Sequence, residues 1–437
     1  MPSKTALIFL IVFFFGCLAT LLRTPYYGIL LYEVQYFFNP PARWWYGDLP
    51  DFRYSFLIVL LITIGFVPRL SQFRENRLFA APPIKWLVLM IGVVLISFMW
   101  AVSYETHLEF TIRYLKIIFF ALLAYKLVDT PKKMEGVLAV YLVGIFYLSW
   151  IAWEGGRTSG GRLEGIGCAD TMDANGSAAV VVTAVPFLMF YILFTAKKWA
   201  KALAFVGLTF TLNCLVLLNS RGGFLALVAG TIYFCWFVFR EPGGQTVKRK
   251  VIFGLIAGIL LFLYLADESF WMRMSTLQEV STDEGGDGGS DRIQYWMKTF
   301  DMLKDHPLGA GARGYHLLSP HYLPTEWLSG GMRAVHSTWF EVLSEYGYHG
   351  FLIFIGYIVS SFSMLRKTRK TLREDDDWYH VFQSVALGAS FVSLLVAATF
   401  INFFYGELMY WLPLFMAAFA NIHMFRKSQA GMAHGME

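Results

Sequence analysis

Residues 267–338 form the longest stretch without an apolar run able to span a bilayer, and they gather Arg273, Arg292, Arg313 and Arg333 with His306, His316, His321 and His336. A guanidinium offers phosphate a planar fork of donors, and an imidazole exchanges a proton near neutral pH. Together these side chains suit group transfer on a phosphorylated substrate. His336 is singled out by its position just before Thr338-x-x-Glu341, a capping-box pattern that predicts a helix from about Trp339. Backbone N–H groups at such a terminus favour anions and disfavour imidazolium, so His336 is expected to act as a neutral base beside a phosphate. The alternative is a hydrogen-bonded packing histidine.

Other arginines could meet the same anion. Arg221, in Ser220-Arg221-Gly222, lies between two apolar runs. A charge costs about 2.5–3.5 kcal/mol at the bilayer centre and less at an interface, so its place also fits an interface anchor. Gly222, Ala226 and Gly230 follow at small-xxx-small spacing, which predicts a tightly packed helix that aims Arg221 in one direction. Loop 153–176 sets Arg157 and Arg162 among glycines, whose amides approach an anion closely, ahead of Asp173-Ala174-Asn175. It reads equally as a solvated loop in which Asn175 or Asp173 caps the next helix. Ser290-Asp291-Arg292 opens an amphipathic helix that ends at His306-Pro307. Arg292 falls in its first turn, where side chain and helix N-terminus face one anion, with a salt bridge to Asp291 or Glu284 as the structural alternative.

Metal chemistry is not expected. There is no H-E-x-x-H, His316 and His321 lack a carboxylate at ligand spacing, and Asp375-Asp376-Asp377 sits in a basic loop. The glycines and acids of 284–289 lack the calcium-loop pattern and read as a mobile loop over the site. Neither a G-x-S-x-G elbow nor a P-loop occurs, and no cofactor is implied. Of the four cysteines none forms C-x-x-C, which argues against disulfides and thiolate metal sites.

The elements that must position these residues are membrane helices. The 437 residues are 57% hydrophobic and 15% charged, with mean hydropathy +0.51, outside the soluble range. About twelve apolar runs, from 5–22 to 408–425, have spanning length. The first, behind Lys4, resembles a signal sequence but reads as a retained helix. Segment 26–38 is short, follows Pro25 and precedes Asn39-Pro40-Pro41, and reads as a re-entrant or interfacial piece on the outer side. Basic residues cluster in the loops around Arg69 to Lys85, Lys126 to Lys133, Lys197 to Lys201, Arg240 to Lys250 and Arg366 to Arg373, and after the last run at Arg426. If 5–38 crosses once, all become cytoplasmic together, both chain ends lie inside, and loop 153–176, Ser220 to Gly222 and the link near Glu407 face outward with 267–338. The expected division is 1–266 with about nine spans, an outer loop 267–338, and 339–437 with about three spans and a tail. A net charge of +5, spent in these loops, excludes nucleic acid as a partner.

Several stretches resemble successive signatures of the O-antigen ligase and polymerase superfamily: Ser220-Arg221-Gly222, SDRIQYW continuing to DHPLGAGARGY, and AVHSTWFEVLSEYGYHGFLIF. TPYYGILLYEVQYFFNP and MRMSTLQ resemble its exosortase-associated O-glycosylation ligases. The resemblance implies an all-α inner-membrane glycosyltransferase of GT-C type, with about twelve transmembrane helices and a large periplasmic loop between the ninth and tenth. It implies metal-independent transfer of a glycan from undecaprenyl diphosphate to an acceptor hydroxyl, a lipid A-core sugar or another glycan or protein. By motif, Arg221 and Arg292 grip the diphosphate, His336 is the essential histidine, and either Arg157 or Arg162 adds a further cation, with Ser220, Glu341 and Asn175 in support. The direct attack implied would invert the anomeric centre. A polymerase and a protein O-oligosaccharyltransferase are alternatives within the family. A polysaccharide transporter is the alternative of another class; it calls for paired broken helices and midplane charges, for which Arg113 and Lys116 are the main candidates.

Overall fold

The computed structural model describes residues 3–426 except 75, 158–160, 172, 246, 276–288 and 329–330. Most of the expected mobile loop, 284–288, lies outside the described residues. The described residues form helices and turns without a β-strand. In chain order the α-helices are α1 (Lys4–Leu22), α2 (Tyr26–Phe38), α3 (Tyr54–Phe66), α4 (Pro82–Ile96), α5 (Tyr104–Leu127) and α6 (Pro131–Gly155). Then come α7 (Ala174–Val181), α8 (Ala184–Phe194), α9 (Lys198–Leu218), α10 (Arg221–Arg240), α11 (Lys248–Leu265) and α12 (Glu268–Ser275). The last are α13 (Gly289–Asp305), α14 (Gly314–Tyr322), α15 (Thr338–Glu374), α16 (Trp378–Ala398) and α17 (Leu408–Ala420). Many starts are chemically marked: the side chains of Ser3, Ser103, Thr130, Asp173, Ser220 and Asp377 each accept a first-turn N–H.

Among the described residues ten helices are long and apolar enough to cross a membrane, which marks a multi-pass membrane protein. The runs expected at 108–127 and 251–266 are also helical, but α5 carries Glu105, Glu109, Arg113, Lys116 and Lys126, and α11 opens on Lys248-Arg249-Lys250. The windows of α16 and of the segment starting with α17 are 83% buried and that of α1 is 17%, so the C-terminal helices form the centre and α1 lies at the rim.

The N-terminal expectation changes. Segment 26–38 does not lie along one face. Tyr26 donates to the Lys133 carbonyl (2.8 Å) at the start of α6, while Asn39, just past the other end, donates to Gly167 O (2.8 Å) in the loop after α6. In between, Phe37 fills the notch at Gly144 and Phe38 stacks on Tyr147 (3.9 Å). α2 therefore runs alongside α6 as a buried helix, and its 13 residues, about 20 Å, need no lipid-facing length because other helices cover it. α1 runs the opposite way, since Ser3 N donates to Asp48 (2.8 Å) near the far end of α2 and Arg69, beyond α3, donates to Leu21 O (3.1 Å).

Two close contacts prepare the functional end. On α10, a Cβ at Gly230 would lie 1.9 Å from Ser393 Oγ and 3.2 Å from Ala389 O, so this helix packs against α16 with no room for a side chain. α15 is broken at Gly347 (φ 63°, ψ −173°), which separates a half-helix, 338–346, from a long spanning part. The break leaves carbonyls without helical partners, and the loop before α14 supplies donors: Ala310 N to Ser344 O and Gly311 N to Glu345 O, both 2.9 Å. Gly309 (φ 86°) makes this approach possible, because a Cβ there would lie 2.5 Å from Glu345 O.

Gly309→Ala should therefore lower the melting temperature of the purified protein by several degrees, since a left-handed non-glycine costs about 1–2 kcal/mol before the clash is counted. Gly254→Ala, where a Cβ meets nothing within 4 Å, serves as control. Equal melting of both variants would refute the assigned clamp.

Candidate active site

The link between α16 and α17, residues 399–407, is where the candidate residues meet. Thr338 donates to Ile401 O and accepts from Phe403 N, both 2.9 Å, and Glu341 accepts from Phe404 N (3.0 Å). The expected capping box is thus not formed: the helix starts at Thr338, its N-cap is Ser337, and Thr338 and Glu341 spend their side chains on the link instead. Trp339 Nε1 adds a bond to Thr399 Oγ1 (2.9 Å). His336 stands one residue before the N-cap, half-buried, with a left-handed backbone (φ 50°). That conformation is uncommon outside glycine and marks a strained position held by its surroundings.

Arg292 reaches the same link. Its Nη1 donates to Phe400 O (3.1 Å), and one turn on, Trp296 stacks on Phe340 (5.4 Å) and lies 6.4 Å from the Phe400 ring. From the other side Gly222, next to Arg221, packs on Phe400, to which a Cβ would approach within 3.1 Å. Half-buried Arg221 at the first position of α10, Arg292 on α13 and the turn bearing His336 are so brought around one short segment.

The loop after α6 joins them unevenly. Asp173 caps α7, accepting from Asn175 N (2.9 Å) and Gly176 N (3.0 Å), which leaves the Asn175 side chain to face the site. Asn175 Oδ1 accepts from Ser220 Oγ (2.9 Å) and Arg162 Nη2 (3.2 Å), and Arg162 also pairs with Glu164 (3.1 Å). Arg162 is thereby tied to the N-cap of α10. Arg157 turns away, to Asp267 (2.8 Å) and Val216 O (3.4 Å). Although burial works against it, the Asp267 carboxyl sits below its usual range, held there by the Phe270 N–H and Arg157.

Residues 206–355 match the O-antigen ligase family model. The match covers about a third of the chain. No curated protein matches the chain at a significant level. The matched stretch supports a role in the ligase and polymerase family. Within the matched stretch fall Arg221, Arg292, His336 and Glu341, whereas Arg157, Arg162, Asn175 and the 399–407 link lie outside it.

Some residues here take parts that the sequence alone did not assign. Arg313, at the N-cap of α14 with φ 58°, donates its N–H to the buried Glu345 (2.7 Å) and sets its guanidinium over Phe110 (5.6 Å). The glycines of Gly309-Ala310-Gly311 were the available signal. On α14, burial, then Arg313, lowers the His316 pKa below the ordinary imidazole value. His107 is structural: Nδ1 accepts from Ala312 N (2.9 Å) and Nε2 faces Val94 O (3.0 Å).

Along α5 a cavity of about 470 Å³ opens, lined by Tyr32, Glu109, Arg113, Lys116, Asp170 and Glu407 among others. Burial and then Asp170 push the Glu407 carboxyl well above its usual range. At the opposite end of the bundle Asp377, His380 and His423 bring possible metal ligands within 4.8 Å of one another. Asp377 is there committed to α16, capping it and bonding His380 Nδ1 (2.7 Å).

An acid whose folded pKa is raised destabilises the fold above that pKa and is relieved as pH falls towards its unfolded value, near 4.3. Glu407→Gln should therefore raise the melting temperature at pH 8 by a few degrees and flatten its increase between pH 8 and pH 5. An unchanged slope would remove Glu407 as its source.

Proposed function

We propose that this protein moves a glycan from undecaprenyl diphosphate to an acceptor hydroxyl, in the first instance on a lipid A-core sugar, at the periplasmic face of a bacterial inner membrane. The observation that carries the reading is the meeting of Arg221, Arg292 and the His336 turn around the 399–407 link, within a stretch largely matching O-antigen ligases. Charge supports this orientation. Arg69, Asn76, Lys133 and Arg426 are bound to main-chain or side-chain groups at the other end of the bundle, which the positive-inside bias assigns to the cytoplasm. The 267–338 loop then faces the periplasm between 1–266, with nine lipid-facing spans and buried α2 as a further pass so that Ser3 lies on the periplasmic side, and a three-span part, 339–437. About twelve lipid-crossing helices of GT-C type, with α2 buried among them, complete the proposal.

In the reaction the acceptor oxygen attacks the anomeric carbon, the bond from that carbon to the diphosphate oxygen breaks, and the acceptor proton passes to His336. Arg221 and Arg292, with Arg162 behind them, neutralise the charge that grows on the departing diphosphate; preorganised electrostatics of this kind usually contributes more to catalysis than any other single effect. A single displacement inverts the anomeric centre. No metal is assigned a part.

His336→Ala and His336→Gly should each lower transfer by about 10²- to 10⁴-fold, assayed in chelator with purified protein, lipid-linked donor and lipid A-core acceptor. Because glycine tolerates the left-handed backbone, His336→Gly should melt no lower than wild type. Normal turnover in either variant would exclude His336 as the base, and loss of activity together with a collapsed melt in both would make it a packing residue.

The arginines separate by lysine substitution, which keeps the charge and removes the fork. Arg221→Lys should retain part of donor binding and lose most turnover. In Arg292→Lys the loss of turnover should exceed the loss of binding, because its contact is assigned to the leaving diphosphate. Full activity in both variants would return these residues to the status of interface anchors.

A further inference from the structure

The α5 cavity belongs to none of this chemistry and has a composition of its own. Glu109, Arg113 and Lys116 recur at one-turn spacing along α5, on one face. Arg113 and Lys116 lie about 14 and 18 Å along the helix from its start, at a depth where unpaired cations are expensive. Their natural partners are occupied or out of reach. Asp170 already accepts from Tyr36 Oη (2.6 Å) and Glu407 N (2.7 Å) and meets Arg113 only at 3.5 Å. Glu109 and Lys116 have no ion pair or hydrogen bond among the described residues. Glu407 binds Tyr32 through one oxygen (3.0 Å), and its other oxygen is buried with no partner.

The cavity thus presents two cations and two carboxylates with capacity to spare, Glu109 beside the cations on α5 and Glu407 from the 399–407 link. A simple anion would face Glu109 and Glu407, and a simple cation would face Arg113 and Lys116. A ligand with both charges a few atoms apart satisfies the whole wall. The opening favours an amphiphile, because Ile112 and Ile117 line it and Ile112, Leu115 and Phe119 are exposed on the outer surface of α5. We propose that this cavity holds the headgroup of an aminophospholipid, its phosphate on Arg113 and Lys116, its primary ammonium between Glu109 and Glu407, and its acyl chains along α5. The raised Glu407 pKa agrees with a carboxyl that lacks a cation until such a ligand supplies one.

The test is native mass spectrometry of the purified full-length protein titrated with dioleoyl phosphatidylethanolamine, phosphatidylglycerol and phosphatidylcholine. Phosphatidylethanolamine should bind at least about tenfold more tightly than the other two, a difference of about 1.4 kcal/mol. Lys116→Met should weaken it by a similar factor. Glu109→Gln should keep binding of the phosphate but erase the preference for the ammonium. Soluble glycerophosphoethanolamine should compete with the lipid. Equal affinities for the three lipids in the unmodified protein would overturn the proposal whatever the variants do. So would unaltered binding in Lys116→Met, or displacement by a neutral monosaccharide in place of glycerophosphoethanolamine.

Discussion

A helix that stops inside a membrane protein leaves carbonyl groups that water is not there to satisfy, and at Gly347 this chain stops one. The bonds from Ala310 and Gly311 to Ser344 and Glu345 answer that need, and much of the functional end hangs on them. They fasten the loop that carries Arg313, whose own N–H then binds Glu345. With its lower end clamped, the half-helix 338–346 has a fixed direction, and its upper end holds His336. The left-handed residues at Gly309, Arg313, His336 and Gly347 fall in this one assembly. Strain is tolerated where neighbouring bonds over-determine the backbone, and they do so here.

The second fixed body is the 399–407 link. Thr338 uses one hydroxyl as donor to Ile401 and acceptor from Phe403, so a single side chain holds the link against α15. Phe400 gives its carbonyl to Arg292 and its ring to Gly222. Side chains that share so short a segment cannot move independently, and their energetic effects are coupled for the same reason.

Local chemistry in the sequence was informative wherever a feature is decided within a few residues. The apolar runs fell on helices because length and hydropathy decide that outcome alone. The glycine spacing after Arg221 announced the close packing seen at Gly230. What failed was what depends on distant partners. Thr338 and Glu341 have capping-box spacing, yet Ile401, Phe403 and Phe404 compete for them and win. Asp173 and Asn175 are equally good caps on paper, and only the neighbourhood of Ser220 and Arg162 separates them. Segment 26–38 looked too short to cross because a spanning length presumes lipid around the helix, and α6 is there instead. Arg113 and Lys116 could be noticed in an apolar run, but Asp170 and Glu407 come to them from remote loops.

The packing around α10 is lopsided. On the α16 side Gly230 locks against Ser393 with no slack. On the other side stands α11, of which only Val251 is buried and whose Gly254 and Gly258 touch nothing nearby. Most of the α11 surface is therefore left uncovered by the described residues. A chain inserted between it and α10 would disturb little protein packing. α10 thus behaves as a fixed post and α11 as a loosely hung door, and under the proposed function the seam between them is where the donor's lipid tail would pass on its way to Arg221.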